Sequence, residues 1–407
     1  MDRRVPLRIL IVLPVPYPGG SAAANRVQKI ARALHEAGDE ASILAAGSAR
    51  TVVAPDQWAR DEFSIAYRNI SLEPASGRSG PWDALQRGRD LASVVEPWLQ
   101  RGAFDTVFLY GQSWLMYSRL IQNCDTHRVP VIPDCTEWHD LAWRELSWKF
   151  WIDQNLFRLL LLRRCSGVVA ISDLWAQYAT KLGVPVLLLP ALGEVSGGKR
   201  ESSQADGLEI VYVGGLARRD LPLTLVEGLR IVRAKGVPAR LCLIGRPIEG
   251  EGWRNLQLML REDDTIRPHV EITGWISEAE LKRRMQSAAA LVLLRSESRE
   301  TRACFPTRLP EYLLTSQPVI ISNVGDVGLY LTHGEHAWLL PPGDQPVMLA
   351  EALLALLGNR AQARCLGEAG KEAAIAQFGY RSHANRLSCF FGKIALAART
   401  QREISKI

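Results

Sequence analysis

The segment RILIVLPVPYPGGSAAANRVQKIARALHEAGDEASILAA, residues 8–46, carries the pattern that decides the fold. Its first six residues form an apolar, partly β-branched run that is typical of a buried strand. Residues 23–38 then repeat apolar side chains at the spacing of one helix face, and residues 40–46 form a second apolar run. This order of strand, loop, helix and strand predicts two parallel strands that are joined by a crossover helix.

The same alternation continues along most of the chain. Further strands are predicted at residues 106–111, 129–134, 167–172, 185–190, 208–215, 239–245, 270–275, 290–295, 318–323 and 337–342. Residues 191–206 interrupt the pattern with Gly, Ser and charged residues, which indicates a linker. The sequence thus predicts an α/β protein with two doubly wound, Rossmann-like domains, residues 1–190 and 207–379, that face each other across a cleft. A C-terminal helix at about 380–400 is expected to pack back on the first domain.

Composition limits the classes of function. The chain has 407 residues, of which 47% are hydrophobic and 23% charged, as in a folded protein with more than one core. Its net charge of +6 suits phosphorylated ligands, but no Lys/Arg block or aromatic-basic motif indicates a nucleic-acid partner. Seven cysteines without C-x-x-C spacing favour free thiols in a reducing compartment. Because no run of about 18 apolar residues occurs, we expect a cytoplasmic protein; its oligomeric state is unknown from the sequence.

Two glycines follow the first predicted strand, in the loop PVPYPGGSAAANR, residues 14–26. Gly19 and Gly20 predict a backbone with φ > 0 that approaches a ligand closely, in front of the positive end of the next helix. An ordinary turn between a strand and a helix is the open alternative. The loop contains no His, Asp or Glu that could act as a general base. It also lacks the G-x-G-x-x-G pattern, which disfavours an NAD-linked oxidoreductase.

The segment VGGLARRD, residues 213–220, repeats this arrangement in the second domain. Its glycines follow a predicted strand, and Arg218 and Arg219 come next. An arginine beyond the carboxyl end of a strand can bind phosphate oxygens in a bidentate manner. The alternative is that both are solvated loop arginines.

The segment CFPTRLPEYLLTSQPVI, residues 304–320, predicts a third ligand-binding loop. Thr307 is expected to cap a helix that begins at Pro306–Thr307, with the first helix amides facing an anion. Arg308 would add a charge to the same anion. Glu311, one turn along, would accept hydrogen bonds from ribose hydroxyls, so that one site holds diphosphate and ribose together. The alternative is a capped helix with an exposed Arg and Glu.

The pattern P-T-R-L-P-E-Y-L-x-x-x-x-P-V-I, together with VGGLARR and the early PYPGG, resembles the family-4 glycosyltransferases of GT-B fold. The stretches VEITGW, SNVGDV and LLPPGD also occur in the order expected of that family, so the resemblance covers nearly the whole chain. It implies a retaining transferase that needs neither a metal nor a cofactor. Its donor would be a UDP- or GDP-type nucleotide sugar, and its acceptor a hydroxyl of a glycan, a lipid-linked sugar or a small molecule.

The resemblance also assigns roles to individual residues. The donor diphosphate would be contacted by Gly19, Gly20, Arg218, Arg219, Thr307 and Arg308, with Arg219 and Arg308 as the catalytic pair. Glu311 would bind the ribose, and the base would be bordered by Gly274, Trp275 and Ile276. Candidates for the sugar and acceptor side are Asn25, Arg26, Asp134, Glu137 and His139. A structural role remains open for Asn25, Arg26, Glu137 and His139.

This chain departs from the family pattern at two points. The E-x7-E pair of the family would begin at position 303, where this chain has Ala303. The usual Gly-Arg pair is replaced by Gly214–Gly215, for which the doubled arginine at 218–219 is expected to compensate. We therefore expect altered recognition of the donor sugar. The alternative hypothesis is a nucleotide-binding relative that is impaired in catalysis.

Residues 138–165 combine Trp138, Trp143, Trp148 and Trp151 with basic residues. An amphipathic helix of this composition can lie in a membrane interface, where a lipid-linked acceptor would be found. A helix face that packs on the sheet is the other interpretation. The first interpretation predicts peripheral contact with the inner face of the membrane.

Overall fold

The computed structural model describes residues 5–47, 57–72, 80–139, 148–194 and 208–404. The chain forms two compact units, of which the first is Met1–Leu192 with Tyr380–Ile407 and the second is Gly193–Gly379. Each unit has its own sheet and its own hydrophobic core. All seven cysteines are free thiols. Within the described residues, no helix combines the length and the apolar character needed to cross a bilayer.

The first unit is built on an eight-stranded sheet. Its strands are β1 (Arg8–Leu13), β2 (Glu40–Ala46), β3 (Ala59–Arg60), β4 (Ala66–Ile70), β5 (Thr106–Tyr110), β6 (Val131–Cys135), β7 (Val168–Ala170) and β8 (Val186–Leu188). They lie in the order β3-β4-β2-β1-β5-β6-β7-β8, and only the β3–β4 pair is antiparallel. The order reverses between β1 and β5, so the loops that follow these strands diverge and leave a crevice at the carboxyl edge of the sheet.

Residues 8–46 fold as their pattern predicts. β1 pairs in parallel with β2, and the helix α1 (Ala22–Glu36) crosses between them. Ser21 caps this helix by accepting a hydrogen bond from Ala24 N at 3.1 Å, and Gly38, with φ 86°, follows its end. The predicted apolar face of α1 is buried. The next helices are α2 (Pro81–Gln100), α3 (Trp114–Thr126), α4 (Trp148–Leu156), which continues into a π-helical turn at Phe157–Leu161, and α5 (Asp173–Lys181).

The second unit is built on a six-stranded sheet that is parallel throughout. Its strands are β9 (Glu209–Val213), β10 (Arg240–Ile244), β11 (Val270–Gly274), β12 (Ala290–Leu293), β13 (Val319–Ser322) and β14 (Trp338–Leu340), in the order β11-β10-β9-β12-β13-β14. Its helices are α6 (Pro222–Ala234), α7 (Glu251–Glu262), α8 (Glu278–Ser287), α9 (Arg299–Ala303), α10 (Leu309–Leu313), α11 (Val327–Tyr330), α12 (Pro346–Gly358) and α13 (Arg360–Phe378). Here the strand order reverses between β9 and β12.

The last helix, α14 (Ala384–Ile404), belongs to the first unit. Leu387, Phe391 and Ile394 are buried in the core of that unit, and the ring of Phe391 lies 5.6 Å from that of Phe108 on β5. The doubly wound α/β class predicted from the sequence is confirmed, since every strand pair except β3–β4 in the two sheets described is parallel and crossover helices join the strands. The strands β3 and β4 were not predicted, because the residues 59–60 and 66–70 lack a continuous apolar run.

A buried ion pair joins three elements at the carboxyl edge of the first sheet. Arg26 on α1 donates from Nε to Asp134 Oδ2 at 2.7 Å and from Nη2 to Asp134 Oδ1 at 2.9 Å. The same guanidinium donates to the carbonyl oxygens of Leu189 and Pro190, at 3.1 and 2.8 Å. Arg26 is 5% exposed and Asp134 0%. The two residues were expected to face the sugar or the acceptor; instead they bind each other, and their charges are closed off from solvent.

Removal of one partner of the Arg26–Asp134 pair should therefore destabilise the folded protein. Arg26→Ala should lower the free energy of unfolding by about 3–5 kcal/mol, because Asp134 stays buried without a counter-ion. The double variant Arg26→Met/Asp134→Leu should recover much of this loss, since no charge then remains in the interior. Urea denaturation followed by circular dichroism measures both effects.

The matched control is Arg164→Ala, which removes an exposed pair with Asp125 in the same unit. This substitution should change the free energy of unfolding by less than about 1 kcal/mol. Equal losses in Arg26→Ala and Arg164→Ala would contradict a structural role for the buried pair.

Candidate functional site

In the second unit, Asp220 shapes the loop that follows β9. Its carboxylate accepts a hydrogen bond from Ala217 N at 3.0 Å and pairs with Arg295. Leu216 and Leu221 take positive φ values of 55° and 50°, so the backbone turns twice before α6 begins. The turn places the side chains of residues 218 and 219 just beyond the carboxyl end of β9, at the point where the strand order reverses.

The two glycines of this loop are required by packing. A Cβ at Gly214 would lie 2.1 Å from Tyr212 Oη, and one at Gly215 would lie 2.5 Å from Ile248 Cδ1. Ile248 N also donates to Gly215 O at 2.7 Å. Glycine at these positions therefore lets the loop after β9 pack closely on its neighbours.

Arg219 is the better anchored of the two loop arginines. Its guanidinium contacts Glu300 on α9, with 2.5 Å between Nη1 and Oε1, and its carbonyl oxygen accepts from Ser296 N at 3.0 Å. Burial by itself lowers the pKa of Arg219, but the nearby carboxylates of Glu300 and Asp220 outweigh burial and raise it. Arg218 is 73% exposed and lies 3.6 Å from Glu251. The guanidinium of Arg219 is therefore always charged, and it lies beyond the carboxyl end of β9.

Tyr312 positions the third predicted loop. Its side chain is fully buried, and its hydroxyl accepts a hydrogen bond from Val213 N, at the end of β9, at 2.6 Å. Helix α10 is therefore fixed against the carboxyl end of β9. On the same helix segment Arg308 pairs with Glu311 at 2.5 Å, and both side chains are partly exposed. Sequence reasoning missed Tyr312, although it lies beside Glu311, because its burial depends on residues a hundred positions away.

The predicted cap at Thr307 is wrong. Helix α10 begins at Leu309, its N-cap position is Arg308, and no side chain caps it. Thr307 is exposed in a turn that is closed by the hydrogen bond from Leu309 N to Pro306 O at 3.0 Å. The helix begins later than predicted because Pro310, which has no N–H and a fixed φ, suits its first turn. With five residues, α10 is also too short to form the expected anion site at its start.

Position 303, where the family pattern has a glutamate, is buried in the structure. Ala303 is the last residue of α9 and is fully buried. The carboxylate that meets Arg219 comes from Glu300, in the first turn of the same helix. Glu300 lies outside the E-x7-E register of the family pattern, so the sequence does not indicate this contact.

The residues expected to border the base form an exposed turn after β11. Gly274 ends the strand with φ 66°, and its carbonyl oxygen accepts from Gly245 N at 3.0 Å. Trp275 is 81% exposed, and Ile276 is half-buried. A flat, exposed indole at the carboxyl edge of the sheet is suited to stacking on a base.

In the first unit, the loop after β1 differs from its prediction. Neither Gly19 nor Gly20 has a positive φ, so that reason for the two glycines is wrong. Tyr17 anchors the loop instead: its backbone N donates to Asn69 Oδ1 at 3.0 Å, and its hydroxyl donates to Asp61 Oδ2 at 2.5 Å. A Cβ at Gly20 would meet no atom within 4 Å, so the space in front of this residue is open.

Among the acceptor-side candidates, Glu137 lines a cavity of the first unit. The cavity has a volume of about 680 Å³ and lies at the carboxyl edge of the first sheet, between Pro14 after β1 and Tyr110 at the end of β5. Glu137 Oε2 lies 3.0 Å from His139 Nε2. Asn25 lies in α1, where its backbone N donates to Ser21 O. Burial raises the pKa of Tyr110 to about 12, so its hydroxyl stays protonated at neutral pH.

One group of described residues brings possible metal-binding atoms together, at Glu209, Cys242 and Glu271. Arg284 lies among them and bonds to Glu271 at 2.7 Å and to the Cys242 sulfur at 3.2 Å. A guanidinium thus already lies within this cluster and offsets part of its negative charge.

Two family models match the chain. Residues 207–359 match the model described as glycosyl transferases group 1, and residues 21–190 match the model described as glycosyl transferase 4-like domain. Comparison of the sequence with curated proteins gave no match.

Several solved structures share the architecture. Sucrose-phosphate synthase from Thermosynechococcus elongatus superposes with a TM-score of 0.72 at 17% identity, over 96% of this chain and 100% of the other. HepE from Anabaena, in complex with UDP, gives a TM-score of 0.66 at 14% identity, over 95% of this chain and 100% of the other. The lipopolysaccharide outer core galactosyltransferase WaaB gives 0.62 at 14% identity, over 95% and 99%. At these identities the likeness shows the fold.

Both matched models describe glycosyltransferases, and the two ranges together take in more than half of the chain. These family matches agree with the division of the chain into two parallel α/β units and with the architecture that it shares with the solved structures. A binding protein without transfer activity is not favoured by these matches. The chain therefore belongs to the family-4-like glycosyltransferases of GT-B fold, enzymes that use nucleotide sugars.

Proposed function

We propose that this enzyme transfers a sugar from a nucleotide-diphosphate sugar to an acceptor hydroxyl with retention of configuration and without a metal ion. The structurally similar HepE binds UDP and UDP-glucose, which makes UDP-glucose the first donor to test. The acceptor would be a hydroxyl of a glycan, a lipid-linked sugar or a small molecule.

The single observation that carries this proposal is the position of Arg219. Its guanidinium lies at the carboxyl end of the central strand β9, where the strand order reverses, and Glu300 orients it. Ligands of doubly wound sheets bind at such a point. A guanidinium held in place there can stabilise the negative charge that develops on a leaving diphosphate.

Arg308 and Glu311 would complete the donor site. Arg308 would contact the same diphosphate, while Glu311 would accept hydrogen bonds from the ribose hydroxyls. The Arg308–Glu311 ion pair is compatible with both roles, because a carboxylate has about four acceptor positions and can serve a guanidinium and a hydroxyl together. Arg218 and the turn at 274–276 would line the rest of the donor.

The lack of a base in the loop after β1 supports the proposal of retention. Inversion needs a group that deprotonates the acceptor hydroxyl from the face opposite the leaving group. Residues 14–26 contain no His, Asp or Glu. In the retaining reaction the leaving diphosphate itself accepts the proton of the acceptor on the same face of the sugar.

The direct test uses UDP-glucose with EDTA present. The enzyme should release glucose slowly, or transfer it to an acceptor, with the anomeric configuration of the donor, as followed by proton NMR at early times. The rate in EDTA should equal the rate with added Mg²⁺. An inverted product, or a rate that depends on added metal, would overturn this mechanism.

Two substitutions separate the diphosphate end of the site from the ribose end. Arg219→Ala should weaken the binding of both UDP and inorganic pyrophosphate and should lower kcat by roughly 10²-fold, as expected when a charge-stabilising donor is lost. Glu311→Ala should weaken UDP binding but leave pyrophosphate binding unchanged, because pyrophosphate has no ribose. Calorimetric titration measures all four affinities.

The control is Arg261→Ala, which removes an exposed arginine of α7 in the same unit. Wild-type affinity for UDP in both test variants would contradict the assignment of the donor site. Thermal stabilisation by UDP, GDP and ADP would identify the base, since binding to the folded state raises its stability.

We also propose peripheral contact with a membrane through the segment that begins with α4. Four large apolar side chains are 38–59% exposed there, namely those of Phe150, Ile152, Leu159 and Leu160. Exposed Lys149, Arg163 and Arg164 accompany them. Trp138, in contrast, is buried and lies 4.6 Å from the ring of Trp175, while Trp143 lies outside the described residues. Exposed apolar side chains beside basic ones are suited to an anionic interface.

The purified protein should therefore co-sediment with vesicles of phosphatidylglycerol and phosphatidylcholine, and high salt should weaken this binding. Leu159→Asp/Leu160→Asp should abolish it. Leu258→Asp, which alters a similarly exposed leucine in the other unit, should not. The absence of co-sedimentation in the unmodified protein would exclude this surface as a membrane contact.

A further inference from the structure

The cavity of the first unit is large enough to enclose a small organic molecule, at about 680 Å³. Most of its wall is apolar, with contributions from Pro14, Ala22, Ala46, Pro81, Leu115 and Phe150. These residues come from the ends of β1 and β2 and from the helices α1 to α4. The wall would therefore hold an apolar body out of water.

Gln112 is a buried polar residue in this wall, and its hydrogen bonding is incomplete. Its side chain is 5% exposed, and Nε2 has no hydrogen-bond partner among the described residues. The side chain does contact the neighbouring Cys135 thiol, but a thiol is only a weak acceptor and the amide has two N–H groups, so at least one of them lacks a good acceptor among the described residues. An unmet buried N–H group costs about 1–3 kcal/mol, which an oxygen atom of a ligand would recover.

Arg87 supplies charge to the same cavity. It is half-buried on α2, lines the cavity and makes no ion pair within the part of the chain that the structure describes. Lys149 adds a second positive charge to the wall.

The two carboxylates of the wall are engaged elsewhere. Glu137 pairs with His139, and Asp153 accepts hydrogen bonds from Ser113 Oγ at 2.6 Å and Leu115 N at 2.7 Å, at the start of α3. Burial raises the pKa of the Asp153 carboxyl, although these hydrogen bonds oppose the change. No ion pair joins Arg87 to either of these carboxylates, so Arg87 lines the cavity without a counter-ion among the described residues.

We infer that the acceptor of this enzyme is an amphipathic anion. Its phosphate or carboxylate group binds Arg87, its apolar body packs against the cavity wall, and one of its oxygen atoms accepts a hydrogen bond from Gln112 Nε2. The identification of this ligand as the acceptor rests on the proposed transfer reaction. The binding itself is independent of the donor and is measured without it.

The probes are n-octyl phosphate, octanoate and the neutral n-octyl β-glucoside, each titrated calorimetrically below its micelle concentration with no nucleotide present. At least one anion should bind more tightly than the glucoside, and the comparison of phosphate with carboxylate identifies the preferred group. Arg87→Gln should weaken the binding of the preferred anion by about tenfold or more and leave glucoside binding unchanged. Arg89→Gln, at an exposed position of the same helix, is the matched control.

The variant Gln112→Leu tests whether Gln112 contributes to ligand binding or to the stability of the fold. If Gln112 serves the ligand, this variant should unfold at the same or a higher temperature, because a buried unmet donor is removed, while its affinity for the anion falls several-fold. A lower unfolding temperature with unchanged affinity would show that Gln112 is structural and would overturn its role. Equal affinity for anion and glucoside, or wild-type affinity in Arg87→Gln, would overturn the inference as a whole.

Stabilisation by UDP-glucose, measured on the same samples, keeps the two proposals distinct. Stabilisation by UDP-glucose without binding of either anion overturns the acceptor inference and leaves the proposed reaction intact. Binding of the anion without stabilisation by UDP-glucose counts against the proposed donor and leaves the cavity as a binding site for amphipathic anions.

Discussion

In both units the parallel strands place all their carboxyl ends at one edge, and the strand order reverses beside the first strand of the unit. The diverging loops leave a crevice that packing cannot close. In the second unit this point holds Arg219, and in the first it holds the cavity beside Tyr110. Sheet topology therefore determines where a ligand can bind before any side chain is considered.

Burial then determines what each pair of arginine and carboxylate does. Arg26 makes four hydrogen bonds to atoms of the described residues and is only 5% exposed, so its charge joins α1 to the sheet. Arg219 and Arg308 lie at partly exposed positions, and each forms one ion pair with a carboxylate of the described residues. Their remaining N–H groups can turn to phosphate oxygens, because a guanidinium has five donors. The same two residue types thus produce a structural clamp in one unit and a candidate anion site in the other.

The cavity of the first unit shows a different relation between stability and function. A buried amide nitrogen without a good acceptor among the described residues disfavours the empty folded state, and a half-buried guanidinium without a counter-ion among them adds to this effect. An amphipathic anion would satisfy both groups at once, and its apolar part would fill the cavity. Sites that bind tightly are often less stable when empty, since their polar groups are directed at the ligand rather than at the protein.

The sequence by itself determined the elements that rest on local periodicity: the strand at residues 8–13, the helix after it, and the parallel α/β class of both units. It also placed Arg219 in a loop at a strand end, and Arg308 and Glu311 at the start of a helix. It could not determine the pairing of Arg26 with Asp134, whose partners are 108 residues apart, or the contact of Val213 with Tyr312. These contacts were decided by the tertiary structure, because periodicity records only which face of an element is buried. Which side chains meet there, and whether any charge is left for a ligand, depends on how distant elements pack together.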